Sequence, residues 1–139
     1  ANARAFARAL AAAGLKVAGD PALGYTETHQ VIVEVGYGRG PALAERLEAN
    51  NIVCNYQATP DEEGFTAAGA LRLGVAEMTR FGMGPDDFKA LAQLIAAVVL
   101  DDRQVKEQVR DLRQSFRTLR YCFGEAEFPE AMRALRELL

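Results

Sequence analysis

The residue pattern predicts an α+β fold: a small, mostly antiparallel sheet with helices packed on one face. Three observations lead there. Segments run in the order helix, strand, strand, helix, strand, strand and then helices, with no βαβ train. The strand candidates are short and carry apolar residues at every second position, as in Val31, Val33 and Val35. No glycine-rich phosphate loop follows any of them. At 139 residues and 50% hydrophobic content the chain can bury one compact core, so one domain is expected.

Ala1 to Ala13 is alanine-rich, with Phe6 and Leu10 four apart, and reads as a helix stopped by Gly14. Leu15 to Ala18 is a short strand candidate, and Gly19 to Gly24 has turn chemistry. The period-two run His29 to Val35 is the second strand. Pro41 suits the first turn of a helix that faces Leu43 and Leu47 inward and ends at Asn50-Asn51. Ile52 to Tyr56 is a third strand candidate, followed by a mostly polar loop from Ala58 to Thr66.

The fourth strand contains Leu71, Arg72 and Leu73. Gly84-Pro85-Asp86-Asp87 then starts a helix, with proline early and two acids near the positive end of the helix dipole. Its stripe of Phe88, Leu91, Ile95 and Val98 continues to about Leu100. From Val105 to Phe123 apolar residues recur three and four apart, predicting one long amphipathic helix closed by Gly124. Arg110, Arg113, Arg117 and Arg120 line another side of it; such a stripe can bind phosphates but is more commonly a solvated face balanced by acids such as Glu107 and Asp111. Phe128-Pro129 opens a last helix with Met132, Leu135 and Leu139 inward.

Composition excludes several functions. A net charge of −3 and a pI near 5.2 give no electrostatic reason to bind nucleic acid or an anionic membrane. The longest apolar run, Leu94 to Leu100, is far short of the roughly 20 residues of a membrane span. Cys54 and Cys122 lack metal-ligand spacing, and His29 is the single histidine, so no metal site and no disulfide framework are expected. A reducing cytoplasm is the expected location. The chain begins at Ala1 without a signal segment, which suggests a piece of something longer.

Arg72 is the residue that most invites a functional reading. Burying Leu71 and Leu73 turns it to the opposite face of the strand. On pattern alone it is a solvated or ion-paired arginine. A guanidinium there also suits an arriving carboxylate, because its planar fork donates two parallel hydrogen bonds and stays charged. For His29 a structural hydrogen bond is expected over catalysis, and Asn55 and Thr26 likewise read as structural first.

Four segments, in order, carry a family resemblance. Arg72, Gly74 and Met78-Thr79 resemble the "S-G-I-R-I-G-T-P-A-M-T-T-R-G" segment of serine hydroxymethyltransferases. Asn2 to Ala7 is similar to "N-A-K-A-L-A" in the helix entering their small C-terminal domain. Thr26 to Val35 resembles "T-D-N-H-L-V-L-V-D-L", and Ile52 to Pro60 resembles "I-T-V-N-K-N-T-I-P". The resemblance implies the small domain of a fold-type-I pyridoxal-phosphate enzyme, with residues 1–100 as the family-like core and 101–139 as a C-terminal helical extension.

By the same resemblance, Arg72 holds the carboxylate of a small amino-acid substrate. Gln57 stands where the family has an asparagine that contacts the pterin ring; it keeps donor and acceptor, which leaves a folate or substrate contact, and tetrahydrofolate as cosubstrate, open. Tyr56 in place of a lysine, and Val75-Ala76-Glu77 in place of Thr-Pro-Ala, leave room for a threonine transaldolase-like relative. The Schiff-base lysine and phosphate loop are expected in a large domain upstream, so this chain alone is expected neither to hold pyridoxal phosphate nor to catalyse. A homodimer is expected for the full-length enzyme. The competing expectation is a stand-alone, non-catalytic α+β ligand-binding or interaction domain.

Overall fold

Helix α1 (Asn2–Ala12) buries Ala3, Phe6, Ala7 and Leu10, one side of a helix at three- and four-residue spacing. Gly14, at φ +94°, lets the chain turn out of it, and the Leu15 N–H caps the Leu10 carbonyl at 3.1 Å. Strand β1 (Lys16–Val17) follows. A 3-10 turn at Pro21–Leu23, started by an Asp20 carboxylate that accepts from the Ala22 N–H at 2.8 Å, leads to strand β2 (Gln30–Glu34). The computed structural model describes residues 1–59, 67–120 and 128–137.

Helix α2 (Gly40–Ala49) begins hard against the segment entering the arginine strand. The Gly40 N–H donates to the Ala68 carbonyl at 2.8 Å, and a Cβ on Gly40 would lie 2.5 Å from that oxygen, so only glycine fits. Strand β3 is Asn55–Gln57, which corrects the expected Ile52 to Tyr56. The reason lies in the helix end: Asn51 takes the left-handed conformation at φ +63°, and the Ile52 N–H returns to the Leu47 carbonyl at 2.9 Å. Ile52 is therefore the buried residue of a helix cap and not the first of a strand.

Strand β4 (Ala70–Gly74) runs between β2 and β3, giving the order β1-β2-β4-β3 with every pair antiparallel. A short helix α3 (Ala76–Arg80), which the residue pattern had not suggested, follows it. Helix α4 (Pro85–Asp101) starts where expected, and the Gly84 N–H donates to the Asp87 carboxylate at 2.8 Å. Phe88 of α4 meets Phe6 of α1 with ring centroids 5.3 Å apart and planes tilted by 50°. Val31, Val33, Leu71 and Leu73 supply the covered side of the sheet, so helices lie on one face, as the pattern predicts.

The C-terminal part departs from expectation. Helix α5 (Lys106–Gln114) ends nine residues before Phe123, which itself lies outside the described residues together with Cys122 and Gly124. Val105 and Val109 are buried, but beyond them Leu112 and Phe116 are only partly covered and Leu119 is exposed. An apolar period specifies a shared side, and helix length then depends on what covers that side. The same holds for α6 (Phe128–Glu137), whose Met132 and Leu135 are exposed and not inward; Leu139 lies outside the described residues. Much of the expected Ala58 to Thr66 loop also falls outside them.

Asn50 is the buried polar residue that holds α5 to the body. Its Oδ1 accepts from the Val105 N–H at 2.7 Å, and its Nδ2 donates to the Arg46 carbonyl at 3.0 Å. The Val105 N–H belongs to the first turn of α5 and has no partner within that helix. Asn50→Ala should therefore lower stability by about 1–3 kcal/mol through an unsatisfied buried donor. Urea unfolding of the two proteins measures this, and equal midpoints would remove Asn50 from that role.

Candidate functional site

The face of the sheet opposite the helices is built by the alternation of its strands. Leu71 and Leu73 are buried, and Arg72 between them is partly buried on the other side. Cross-strand register places Ile32 of β2 and Asn55 of β3 directly beside Arg72. Gln57 pairs with Ala70, two residues before Arg72, so it lies on the same face at the diagonal position, about 7–8 Å away between Cα atoms. Gln30 pairs with Gly74, where an added Cβ would meet nothing within 4 Å. Arg72 thus shares its face with the amide-bearing positions Gln30, Asn55 and Gln57.

Electrostatics on this face are uneven. Glu34 is the one acidic residue among the strand positions that share it, and the Lys16 ammonium, its cross-strand partner, ion-pairs with it. Arg72 makes no hydrogen bond or ion pair among the described residues. A partly desolvated guanidinium with no such partner keeps its donors available to an anion. A cavity of about 860 Å³ lies elsewhere, on the helical side among Leu73, Met78, Phe88, Leu112 and Arg117, and Arg72 does not line it.

Other sequence candidates find structural places. His29 is exposed, and its backbone carbonyl accepts from the Val75 N–H at 3.0 Å; among the described residues its ring makes no hydrogen bond. The Thr26 hydroxyl accepts from the Thr28 N–H at 3.1 Å, a turn contact, while the Asn55 amide, expected to be structural, has no hydrogen-bond partner among the described residues. Asn2 reaches the Thr79 hydroxyl at 3.0 Å and the Met83 carbonyl at 2.9 Å, joining the first and last of the four recognised segments.

Two of the four arginines of the stripe are engaged locally. Arg110 pairs with Glu107 and, at 3.6 Å, with Asp111. Arg113 lies over the Phe81 ring at 4.5 Å and donates to the Phe116 carbonyl. Among the described residues no cluster of three or more metal-ligating side chains occurs. No helix among them is long and apolar enough to cross a membrane.

Sequence reasoning missed Asn55 as a neighbour of Arg72. The signal was present in part: positions 55 and 57 share a face of any strand that contains both, but placing the strand at Ile52 to Tyr56 left Gln57 outside it. Nothing local could have revealed which strand lies beside Arg72.

Comparison with known proteins bears on the same residues. A family model for serine hydroxymethyltransferase matches residues 1–95. Serine hydroxymethyltransferase of Pyrobaculum arsenaticum is 42% identical over 125 residues, covering 88% of this chain and 29% of that protein. The enzyme of the same name from Methanopyrus kandleri is 43% identical over 129 residues, covering 88% of this chain and 30% of its own length. Among solved structures, L-threonine transaldolase from Pseudomonas fluorescens in its internal aldimine state superposes with a TM-score of 0.76 at 30% identity, over 95% of this chain and 32% of that one. The chain therefore spans about a third of the proteins it matches.

Cys54, just before β3, is set apart from this chemistry by its environment. Burial, with a smaller effect from the Glu48 carboxylate, raises its thiol from 9.0 to about 11. The neutral thiol is favoured in the folded state, so its contribution to stability is complete below pH 9 and is lost as pH rises through 11. In a Cys122→Ser background, alkylation of Cys54 at pH 8 should run roughly 100-fold slower than in the unfolded chain, from thiolate fraction alone. The rate should climb until about pH 11; a plateau near pH 9 would contradict that environment.

Proposed function

We infer the function from family: the chain belongs to the serine hydroxymethyltransferase family. On that footing we propose that it is the small C-terminal domain of a pyridoxal-phosphate-dependent enzyme that transfers a one-carbon or aldehyde unit to or from a small amino acid. Within the parent, Arg72 receives the α-carboxylate of that amino acid. The observation that carries this reading is an Arg72 guanidinium with no ion-pair or hydrogen-bond partner among the described residues, on a face whose one strand-borne acid is already taken by Lys16.

The cofactor is assigned to the rest of the parent and not to these residues. A lysine that forms a Schiff base is activated by desolvation or by a neighbouring cation. Lys16, Lys89 and Lys106 are the chain's only lysines, and all three are exposed. They do not fit the cofactor, and the domain alone is accordingly proposed to be inactive. Pyridoxal phosphate, when bound by the parent, supplies the electron sink for making or breaking the bond at Cα.

What this chain contributes is orientation. Two parallel hydrogen bonds from a planar fork fix both position and rotation of a carboxylate, which a single ammonium cannot do. Gln57, on the same face, is proposed to reach the cosubstrate or the remainder of the substrate, and tetrahydrofolate is one such cosubstrate. Packing of this domain on a large domain of the same chain, homodimerisation of the parent and a cytoplasmic location belong to the same proposal.

In the full-length parent, Arg72→Ala should raise the amino-acid KM by roughly 10- to 150-fold, the equivalent of about 1.5–3 kcal/mol for a hydrogen bond to a charged group. Arg72→Lys should fall between the two, keeping charge without the fork. Steady-state kinetics over a range of amino-acid concentration decide it, and an unchanged KM would take Arg72 out of the site.

A further inference from the structure

Arg72 cannot satisfy a carboxylate alone. An ionised carboxylate offers about four acceptor positions, and a bidentate arginine occupies two of them. On the β2 side the neighbour of Arg72 is Ile32, which has no side-chain donor. On the β3 side it is Asn55, directly opposite in register, with Cβ atoms of such a pair about 5 Å apart. Gly74, two residues along β4, brings no side chain at all.

Asn55 is suited to that second contact. Its side chain is exposed, and among the described residues its amide has no hydrogen-bond partner. Arg72, by contrast, is only partly exposed, as a long side chain is when its stem packs along the sheet. The cross-strand pairing sets the Asn55 amide and the Arg72 guanidinium side by side on one face of the sheet. An amide is also electrically neutral: it donates without quenching the arginine, as an aspartate would.

We propose that Asn55 is a second hydrogen-bond donor to the carboxylate that Arg72 receives, a substrate-binding residue in its own right. The proposal rests on the reading of Arg72 given above. Asn55 donates through Nδ2 to an oxygen lone pair that the fork leaves unfilled, and so distinguishes a carboxylate from a smaller or singly accepting anion.

The test uses the full-length parent loaded with its cofactor, with three variants: Asn55→Ala, Asn55→Asp and Arg72→Ala. Glycine is titrated calorimetrically for Kd, amino-acid KM and kcat are measured, and thermal unfolding is followed for each. Asn55→Ala should raise Kd and KM about tenfold, the size of one charge-assisted hydrogen bond, with the loss falling on binding and not on kcat. Asn55→Asp, which removes the donor and sets a like charge beside the ligand, should raise them further, and added salt should reduce that excess. If Asn55→Ala leaves Kd and KM unchanged while Arg72→Ala raises both, the Asn55 assignment is overturned and the Arg72 reading stands. If Arg72→Ala is also without effect, both fall. A lowered melting temperature with proportionate loss of kcat would mark Asn55 as structural and overturn the proposal equally.

Discussion

The register between β2, β4 and β3 is the constraint on which the rest depends. Five consecutive pairs tie Gln30 through Glu34 to Gly74 through Ala70, and three more tie β4 to β3. Because side chains alternate strictly along a strand, that register sends Leu71 and Leu73 into the core with Val31 and Val33 and sends Arg72 out with Asn55 and Gln57. A slip of one residue would exchange the two sets. It would bury a guanidinium among leucines and valines at a cost of several kcal/mol, so the core itself enforces the direction of Arg72. Positional accuracy at the site is thus a consequence of hydrophobic packing on the far side of the sheet.

Two further devices keep β4 in place. Gly40 brings the start of α2 against the Ala68 carbonyl, and the Val35 N–H takes the Gly69 carbonyl at 2.8 Å, so the residues entering β4 are fixed by backbone contacts from two directions. At the other end, the Val75 N–H is held by the His29 carbonyl, and Asn2 ties Thr79 of α3 and the Met83 carbonyl to the start of α1. The family-like segments therefore converge for two separable reasons. Asn2, Thr79 and His29 serve the frame, and Arg72, Asn55 and Gln57 occupy the face that the frame holds open.

Much of this frame could be read from sequence, and the failures share a cause. Helix starts with local chemistry, such as Pro85 with Asp86 and Asp87, fell where expected, and so did the period-two valines of β2. The errors came where a long-range partner decides the outcome. Ile52 looks like a strand residue until Asn51 is seen to cap α2, and the Val105 to Phe123 period describes one helix until cover gives out after Val109. At the candidate site Arg72 and Gln57 were visible through family resemblance, and period two set the direction of Arg72. Asn55 required knowing which strand lies beside β4, and the neutralisation of Glu34 required knowing that β1 lies beside β2. Strand order is a property of the assembled sheet, with no local residue signature.

The pairing of Glu34 with Lys16 explains how Arg72 can be without an ion-pair partner among the described residues on a sheet that carries an acid. Without Lys16, the Glu34 carboxylate, two residues from Ile32 on the same face, would be an acid of the same sheet face for Arg72 to turn toward, and an internal ion pair would compete with any ligand. With Lys16 opposite Glu34 at the outer edge of the sheet, that carboxylate is satisfied on the side away from β4. An exposed pair of this kind adds little to stability, typically below about 1 kcal/mol. On the reading proposed for Arg72, its consequence lies in selectivity: it holds the Glu34 carboxylate off the arginine, so that the positive charge there remains for a ligand.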